Sequence, residues 1–335
     1  MAQQRVMVTG GAGYIGSIIT QQLLQKGFQV IAVDNFSTGY KEALDILQSD
    51  FPAHLHSYHH DLLAPLESIF KKESPLDAVF HLAGKTAVDE SMRDPAVYFE
   101  NNTAALLNLL TAMEQYRVTQ LIFSSTAAVY GESETLPILE SHPTRPVNPY
   151  GESKLMAEQI INWFGKQKDL RYTIFRYFNV CGGAADGSLG DARPDSGALV
   201  LNAVKGTMGI IPFQLTCSPV STPDGTPIRD YIDVLDVAKA HLLAYAYLSD
   251  GGKSETINLG STRGYSVHEL VRTVETMTGV KIPTRHGSTR QGEAATIVAS
   301  NTKARQLLGW KPTRTIEESI KSTRAWLTTH PHGWK

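Results

Sequence analysis

Residues 5–16 read Arg5-Val6-Met7-Val8-Thr9-Gly10-Gly11-Ala12-Gly13-Tyr14-Ile15-Gly16. The first five form a short apolar run of the kind that makes a buried strand. Glycines at 10, 13 and 16 follow at once, and an apolar helical pattern then runs through Leu23 and Leu24. Strand, glycine turn and helix in that order let backbone approach a pyrophosphate, which the helix N-terminus attracts. That context lifts the glycines above a chance run. A second strand-like run from Gln29 to Val33 ends at Asp34. A carboxylate at that place accepts from a ribose hydroxyl and repels the extra phosphate of NADP. The stretch predicts a dinucleotide fold that prefers NAD.

The alternation continues outward. Strands are expected at 54–58, 78–82, 121–124 and 171–177, separated by helices at 41–48, 63–73, 97–116 and one opening at 149. This pattern predicts an α/β fold with a doubly wound parallel sheet, the Rossmann arrangement. Ligands of such sheets gather at the carboxyl ends of the strands, here Asp34, Asp61, Ala83, Gly84, Ser124, Ser125 and Thr126. Beyond residue 178 the composition changes. Residues 182–197 are rich in Gly, Ala and Asp and read as a mobile loop able to close on a ligand. A further strand is expected at 255–259, and two capping boxes, Ser266 with Glu269 and Thr315 with Glu318, open C-terminal helices. The expected organisation is an NAD-binding domain over 1–178, to which the chain returns near 228–260. A smaller mixed α/β substrate domain covers 179–335.

Bulk properties narrow the partners. A formal net charge of −2, with no basic block, argues against nucleic acid. No apolar run approaches the length of a membrane span, and no signal-peptide pattern precedes the first strand. Cys181 and Cys217 form neither a disulfide framework nor a close metal-binding pair, so a reducing cytoplasm is expected. His54, His56, His59 and His60 are the one histidine cluster. On a strand His54 and His56 share a face while the others diverge, which favours a half-exposed strand over a metal site. No metal is expected.

The chemistry centres on Asn148-Pro149-Tyr150-Gly151-Glu152-Ser153-Lys154. Asn148 is a good N-cap and Pro149 suits the first helical position. Tyr150 and Lys154, four apart, then share one helix face. A position in the first turn and an ammonium one turn on both favour a phenolate, which makes Tyr150 a proton acceptor. With NAD bound, it can take a proton from a substrate hydroxyl while the carbon's hydride moves to the nicotinamide. Lys154 supports the phenolate and can bond the nicotinamide ribose. Ser124, Ser125 or Thr126 can offer a hydroxyl to the reacting oxygen.

Thr9 to Gly16, His81-Leu-Ala-Gly84, Phe123-Ser-Ser-Thr-Ala-Ala-Val-Tyr-Gly131, Tyr150 to Lys154 and Arg176-Tyr-Phe-Asn179 are ordered as in the extended short-chain dehydrogenase/reductase superfamily. Asp224-Gly-Thr-Pro-Ile-Arg-Asp-Tyr231 and Leu308-Gly-Trp-Lys-Pro312 narrow the likeness. Over nearly its whole length the chain resembles the UDP-glucose 4-epimerase family. The resemblance implies an isomerase with tightly bound NAD, oxidising C4 of a UDP-sugar and reducing the 4-keto sugar on its other face. It implies Thr126, Tyr150 and Lys154 as the catalytic set. It maps Gly10, Gly13, Tyr14, Ile15, Gly16, Asp34, Asn35, Ser37, Asp61, Leu62, Leu82, Ala83, Gly84, Asn101, Ser124, Tyr150, Lys154 and Phe178 onto cofactor contacts. Thr126, Asn179, Phe213, Arg229, Arg290 and Glu293 map onto the nucleotide-sugar, with Phe213 stacked on the base. A homodimer built from the 97–116 and 149–166 helices is implied as well.

Other nucleotide-sugar enzymes of this fold are the alternative: UDP-N-acetylhexosamine or UDP-pentose/uronate epimerases, dehydratases and decarboxylases. Dehydratases and decarboxylases place acidic residues just after the central hydroxyl, to work on the oxidised sugar. Here those positions are Ala127 and Ala128, which favours epimerisation. The chain also departs from the family. A lysine common after Ala83-Gly84 comes one place early as Lys85, with Thr86 in its slot, and Asp89 replaces a frequent glycine. The 213–223 segment lacks a usual Asp-Tyr pair, and Asp233 stands where histidine is usual. Ile297 falls near the position that limits sugar size, and its intermediate bulk leaves N-acetylated sugars open.

Overall fold

The computed structural model describes residues 4–133, 135–194, 196–283, 285–286 and 294–334. Strands β1 (Arg5–Thr9), β2 (Gln29–Asp34), β3 (Leu55–His59), β4 (Ala78–His81), β5 (Gln120–Thr126), β6 (Arg171–Tyr177) and Glu255–Leu259 form one sheet of seven. Their spatial order is β3-β2-β1-β4-β5-β6 and then Glu255–Leu259, the doubly wound arrangement that the alternation predicts. Pairs β1–β2, β1–β4, β2–β3 and β4–β5 run parallel. Winding reverses between β1 and β4, the switch point where such sheets take ligands.

The strand sequences explain their places. Val6, Met7, Val8, Val79 and Phe80 are fully buried, as strands covered on both faces require. One core under the sheet joins Met7, Ile31, Val33, Val79 and Phe123 to Leu106, Leu109 and Leu110 of the helix Ala105–Gln115 and to Ile161. β3 is the edge strand, and it leaves His56, Ser57 and His59 exposed.

Two expected helices differ in detail. The 63–73 helix starts only at Glu67. The Asp61 side chain accepts from Leu63 N at 2.8 Å and the Asp61 carbonyl from Ala64 N at 2.9 Å, so the chain turns before it coils. The 97–116 helix is three successive pieces: Pro95–Phe99, a π-turn Glu100–Ala104, and Ala105–Gln115. A π-turn widens the helix by one residue and commonly marks a functional position.

The chain separates into two compact units. One holds the chain up to Gly131, Pro143–Arg176 and Ala238–Ile257; the other holds Glu132–His142, Tyr177–Val237 and the chain from Asn258. Glu132–His142 joins the second unit because Ile138 bonds the backbone of Val298 and Ser300 at 2.8 Å each, and Asn258 Nδ2 bonds the Ile138 carbonyl at 3.0 Å.

Within the second unit, strands Asn179–Cys181, Ile228–Asp233, Gly264–Ser266 and Thr296–Ile297 form a small sheet. Both capping boxes are complete: Ser266 and Glu269, like Thr315 and Glu318, exchange side-chain and backbone hydrogen bonds. The described residues of the 182–197 segment do not form the loose loop that its composition predicts. Gly183, Ala184, Leu189, Gly190 and Asp191 are buried, and Gly183 N donates to Ser322 Oγ at 3.0 Å in the helix Ile316–Thr329. Small residues there allow close packing on Trp326 rather than mobility. Asp233 is buried, 3.1 Å from Arg314 Nε, and accepts from Ser319 Oγ at 2.7 Å.

Candidate active site

The glycine turn follows β1. Gly10 has φ +73°, and a Cβ on it would lie 2.5 Å from Ala83 N, so only glycine lets the turn seat against the segment after β4. Gly13 caps the helix Tyr14–Gln25 with no side-chain hydrogen bond, and no acidic residue occupies the first turn. No acidic side chain of the helix itself offsets its positive end, which suits an anion site. Tyr14, Ile15 and Gly16 form its first turn.

Asp34 closes β2. Its Oδ2 accepts from Ala12 N at 2.9 Å and its Oδ1 from Phe36 N at 2.8 Å, which ties the strand end to the glycine turn. Burial raises its pKa above the usual carboxylate value, with the two amides opposing. Each oxygen keeps a lone pair for a ribose hydroxyl. Asn35 Nδ2 donates to Asp61 Oδ2 at 2.9 Å while its Oδ1 accepts from Ser37 N at 3.0 Å. The Leu63 amide, and then Asn35, hold the Asp61 pKa down, so it stays ionised. Asp34, Asn35, Ser37, Asp61 and the buried Leu62 are thus gathered at the carboxyl ends of β2 and β3.

After β4 come Leu82, Ala83 and Gly84. Gly84 has φ +146°, and a Cβ there would be 2.6 Å from Asn102 Oδ1. Asn102, buried in the π-turn, accepts from Lys85 N at 2.8 Å and donates to the Lys85 carbonyl and Ser153 Oγ, both at 3.0 Å. It joins the Gly84–Lys85 backbone to the helix Pro149–Gln167. Sequence reasoning missed it; two adjacent asparagines inside an expected helix, where asparagine is a poor former, were the available signal. Asn101 beside it donates to the Val97 carbonyl at 2.8 Å. The displaced Lys85 pairs with Glu90 at 3.2 Å, whose other oxygen accepts from Tyr98 OH at 2.8 Å. The Tyr98 ring meets the Tyr150 ring edge to face, centroids 6.3 Å apart.

The helix carrying Tyr150 begins as its sequence predicts. Asn148 Oδ1 accepts from Gly151 N at 2.8 Å, and Pro149 is the first helical residue. Tyr150 is half-buried and Lys154 buried. Lys154 Nζ donates to the Ser124 carbonyl at 3.0 Å and sits 4.9 Å from the Phe123 ring centroid. Burial pulls the lysine pKa down to about 8, against the opposing Glu158 carboxylate. Ser124 O is the one hydrogen-bond acceptor found for Nζ among the described residues, so two N–H groups remain for a ligand and for a phenolate. His81 cannot share the charge: burial, then Lys154, lowers its pKa to about 3, and Thr9 Oγ1 lies 2.6 Å from its Nδ1. Thr126 ends β5 half-buried, and its hydroxyl caps the turn Ala127–Val129 by accepting from Ala128 N at 3.1 Å. The hydroxyl proton is left for a substrate oxygen.

The remaining expected contacts lie in the second unit. Phe178 is buried, Asn179 exposed and Arg229 half-buried, with Nη1 on the Ile228 carbonyl at 2.9 Å. Phe213 is 2% exposed and packs over Gly206, so the base-stacking role expected of it finds no open ring face. Arg290 and Glu293 lie outside the described residues. Among the described residues no group of histidine, cysteine and carboxylate side chains could hold a metal, and no helix is long and apolar enough to cross a membrane.

A doubly wound sheet, a helix end with no acidic residue in its first turn at the switch point and a Tyr/Lys pair beside it define a dinucleotide-binding α/β enzyme. The chain belongs to the NAD dependent epimerase/dehydratase family, whose sequence profile matches residues 6–260. Its cofactor is NAD, and that helix end, Asp34 and the two open N–H groups of Lys154 fit that dinucleotide. The UDP-glucose 4-epimerase of Lacticaseibacillus casei is 40% identical over 333 residues, covering 98% of each chain. The Bifidobacterium longum UDP-glucose 4-epimerase, solved with NAD+ and UDP, superposes with a TM-score of 0.92 at 36% identity, covering 99% of this chain and 100% of that one. The UDP-Glc/GlcNAc 4-epimerase of Campylobacter jejuni does so with a TM-score of 0.82 at 32% identity, covering 98% and 99%.

Proposed function

We propose that the chain interconverts UDP-glucose and UDP-galactose by epimerisation at C4, with Thr126, Tyr150 and Lys154 as its catalytic residues. The observation that carries this reading is the half-buried Tyr150 one helix turn from a buried cation, beside alanines at 127 and 128. Tyr150 accepts the proton of the sugar 4-hydroxyl, and the Thr126 hydroxyl bonds the same oxygen. Lys154, cationic below about pH 8, favours the phenolate. Bound NAD would supply the hydride acceptor and donor for C4, held by the glycine turn, Asp34 and Lys154, and inversion follows when the 4-keto sugar is reduced on its other face. Tyr150 then returns its proton, and with no acid at 127 or 128 the oxidised sugar undergoes no elimination.

Arg229 and Asn179 are proposed to bind the diphosphate and ribose, a task to which the planar fork of arginine is suited. Arg290 and Glu293 are assigned there on family resemblance. Leu107, Met156 and Trp163, exposed on the helices Ala105–Gln115 and Pro149–Gln167, support the homodimer. A cytoplasmic enzyme is proposed on the same resemblance.

Purified protein given UDP-galactose and no added NAD is expected to form UDP-glucose to equilibrium, with no net absorbance change at the NADH wavelength. A keto-sugar product, or a requirement for stoichiometric NAD, would overturn the reading. Ile297 motivates a second arm. It is half-buried on a short strand in register with Arg229, so the same assay with UDP-N-acetylglucosamine tests whether the larger sugar is accepted.

A further inference from the structure

Glu158 stands one helix turn beyond Lys154 on the same helix and is 3% exposed. Both of its carboxylate oxygens are engaged. Oε1 accepts from Ser125 Oγ at 2.5 Å and from Arg176 Nε at 3.0 Å, and Oε2 accepts from Arg176 Nη2 at 2.6 Å. The guanidinium in turn lies 4.8 Å from the Tyr130 ring centroid, in the turn that follows Thr126. Two successive helix turns therefore grip two successive residues of β5: Lys154 holds the Ser124 carbonyl, and Glu158 holds the Ser125 hydroxyl. Thr126 is the next residue along that strand. A buried ion pair contributes little net stability over an apolar pair of similar volume, so this clamp has more to give in position and charge than in folding energy.

We propose that Glu158 is a positioning residue which sets both the place and the charge of Lys154, through a buried clamp closed by Ser125 and Arg176. The inference rests on the reading of Tyr150 and Lys154 given above. The charged and titratable groups around Lys154 are few. Glu158 and Tyr150 share its helix, neutral His81 faces it from β4, and Arg176 of β6 lies behind Glu158 and is neutralised by it. Glu158 is the group that favours the ammonium. Removing its charge therefore pushes Lys154 to lose its proton at lower pH.

Glu158→Gln is expected to move the basic limb of the pH–kcat profile down by about one to two pH units, the order for charges one helix turn apart at an effective dielectric constant of about 20. Melting temperature against pH gives a readout independent of turnover. The rise in stability that begins as folded Lys154 deprotonates should start at correspondingly lower pH, and this displacement should vanish in a Lys154→Met background. Ser125→Ala, which keeps every charge, should lower kcat several-fold and leave the limb in place. A Glu158→Gln protein that melts lower but keeps both the limb and the stability onset of the parent would reduce the clamp to structure and overturn the inference. So would a Ser125→Ala enzyme with parental kcat. If the chain fails to epimerise at all, the reading of the site falls while the melting series still decides the clamp. An active enzyme with an unmoved limb sinks the clamp alone.

Discussion

Tyr150→Phe lowers kcat about 10³-fold while the protein keeps its bound NAD and its melting temperature. The size is that of a lost general acid–base, which contributes roughly 10²–10⁴ in rate. The selectivity of the loss follows from the environment. Phenylalanine keeps the edge-to-face contact with the Tyr98 ring and removes only the hydroxyl. The backbone around position 150 is held by others: Asn148 caps the helix, Ser153 Oγ bonds the Tyr150 carbonyl at 2.8 Å, and Asn102 bonds Ser153. Stability should therefore change by about 1 kcal/mol or less, as for a substitution that leaves the ring packing and these backbone bonds in place. Turnover measured beside cofactor content by absorbance of the denatured protein checks both halves. Full activity in this variant would remove Tyr150 from the chemistry.

Lys154→Met is the second large effect, with kcat down about 10²–10³-fold and the basic limb of the profile abolished. Methionine fills the space but supplies neither the bond to the Ser124 carbonyl nor the charge. The sign of the pH dependence follows from the lowered lysine pKa. Folded Lys154 is cationic below about pH 8 and neutral above it, so its support of the phenolate is present below that value and lost above it. Stability runs the other way. Between about 8 and the ordinary value of 10.5 the unfolded chain holds a proton that the folded chain has released, so the parent protein gains stability with rising pH there. The methionine variant lacks that gain. Parallel pH series of kcat and of melting temperature check the two trends, and a parent enzyme whose activity is flat through pH 9 would contradict the assignment.

Much of the site was legible in the sequence because its signals are local. Gly10 to Gly16, Asp34, Asn148 and the Tyr150/Lys154 spacing each state their geometry within one strand–turn–helix or one helix, where backbone periodicity alone brings the groups together. What was hidden depends on residues distant in the chain. Ser125 meets Glu158 from 33 positions away, and Arg176 meets it from 18. Asn102 reaches Ser153 across 51, from a π-turn that no 3.6-residue pattern announces. Residues 182–197 misled for the same reason. Their Gly and Ala content reads as looseness until Ser322, 139 residues on, bonds Gly183 and Trp326 packs over Gly190. Family resemblance offers Phe213 as a ring for the base, and the structure buries it against Gly206.

The central claim is that C4 loses one hydride and one proton and regains both, with no other bond of the sugar broken. UDP-galactose carrying deuterium at C4, converted by the purified protein in ordinary water, tests it most directly. The account predicts UDP-glucose with the deuterium retained at C4 and no label in the solvent. Loss of the C4 deuterium to water, or its appearance at another carbon, would contradict it.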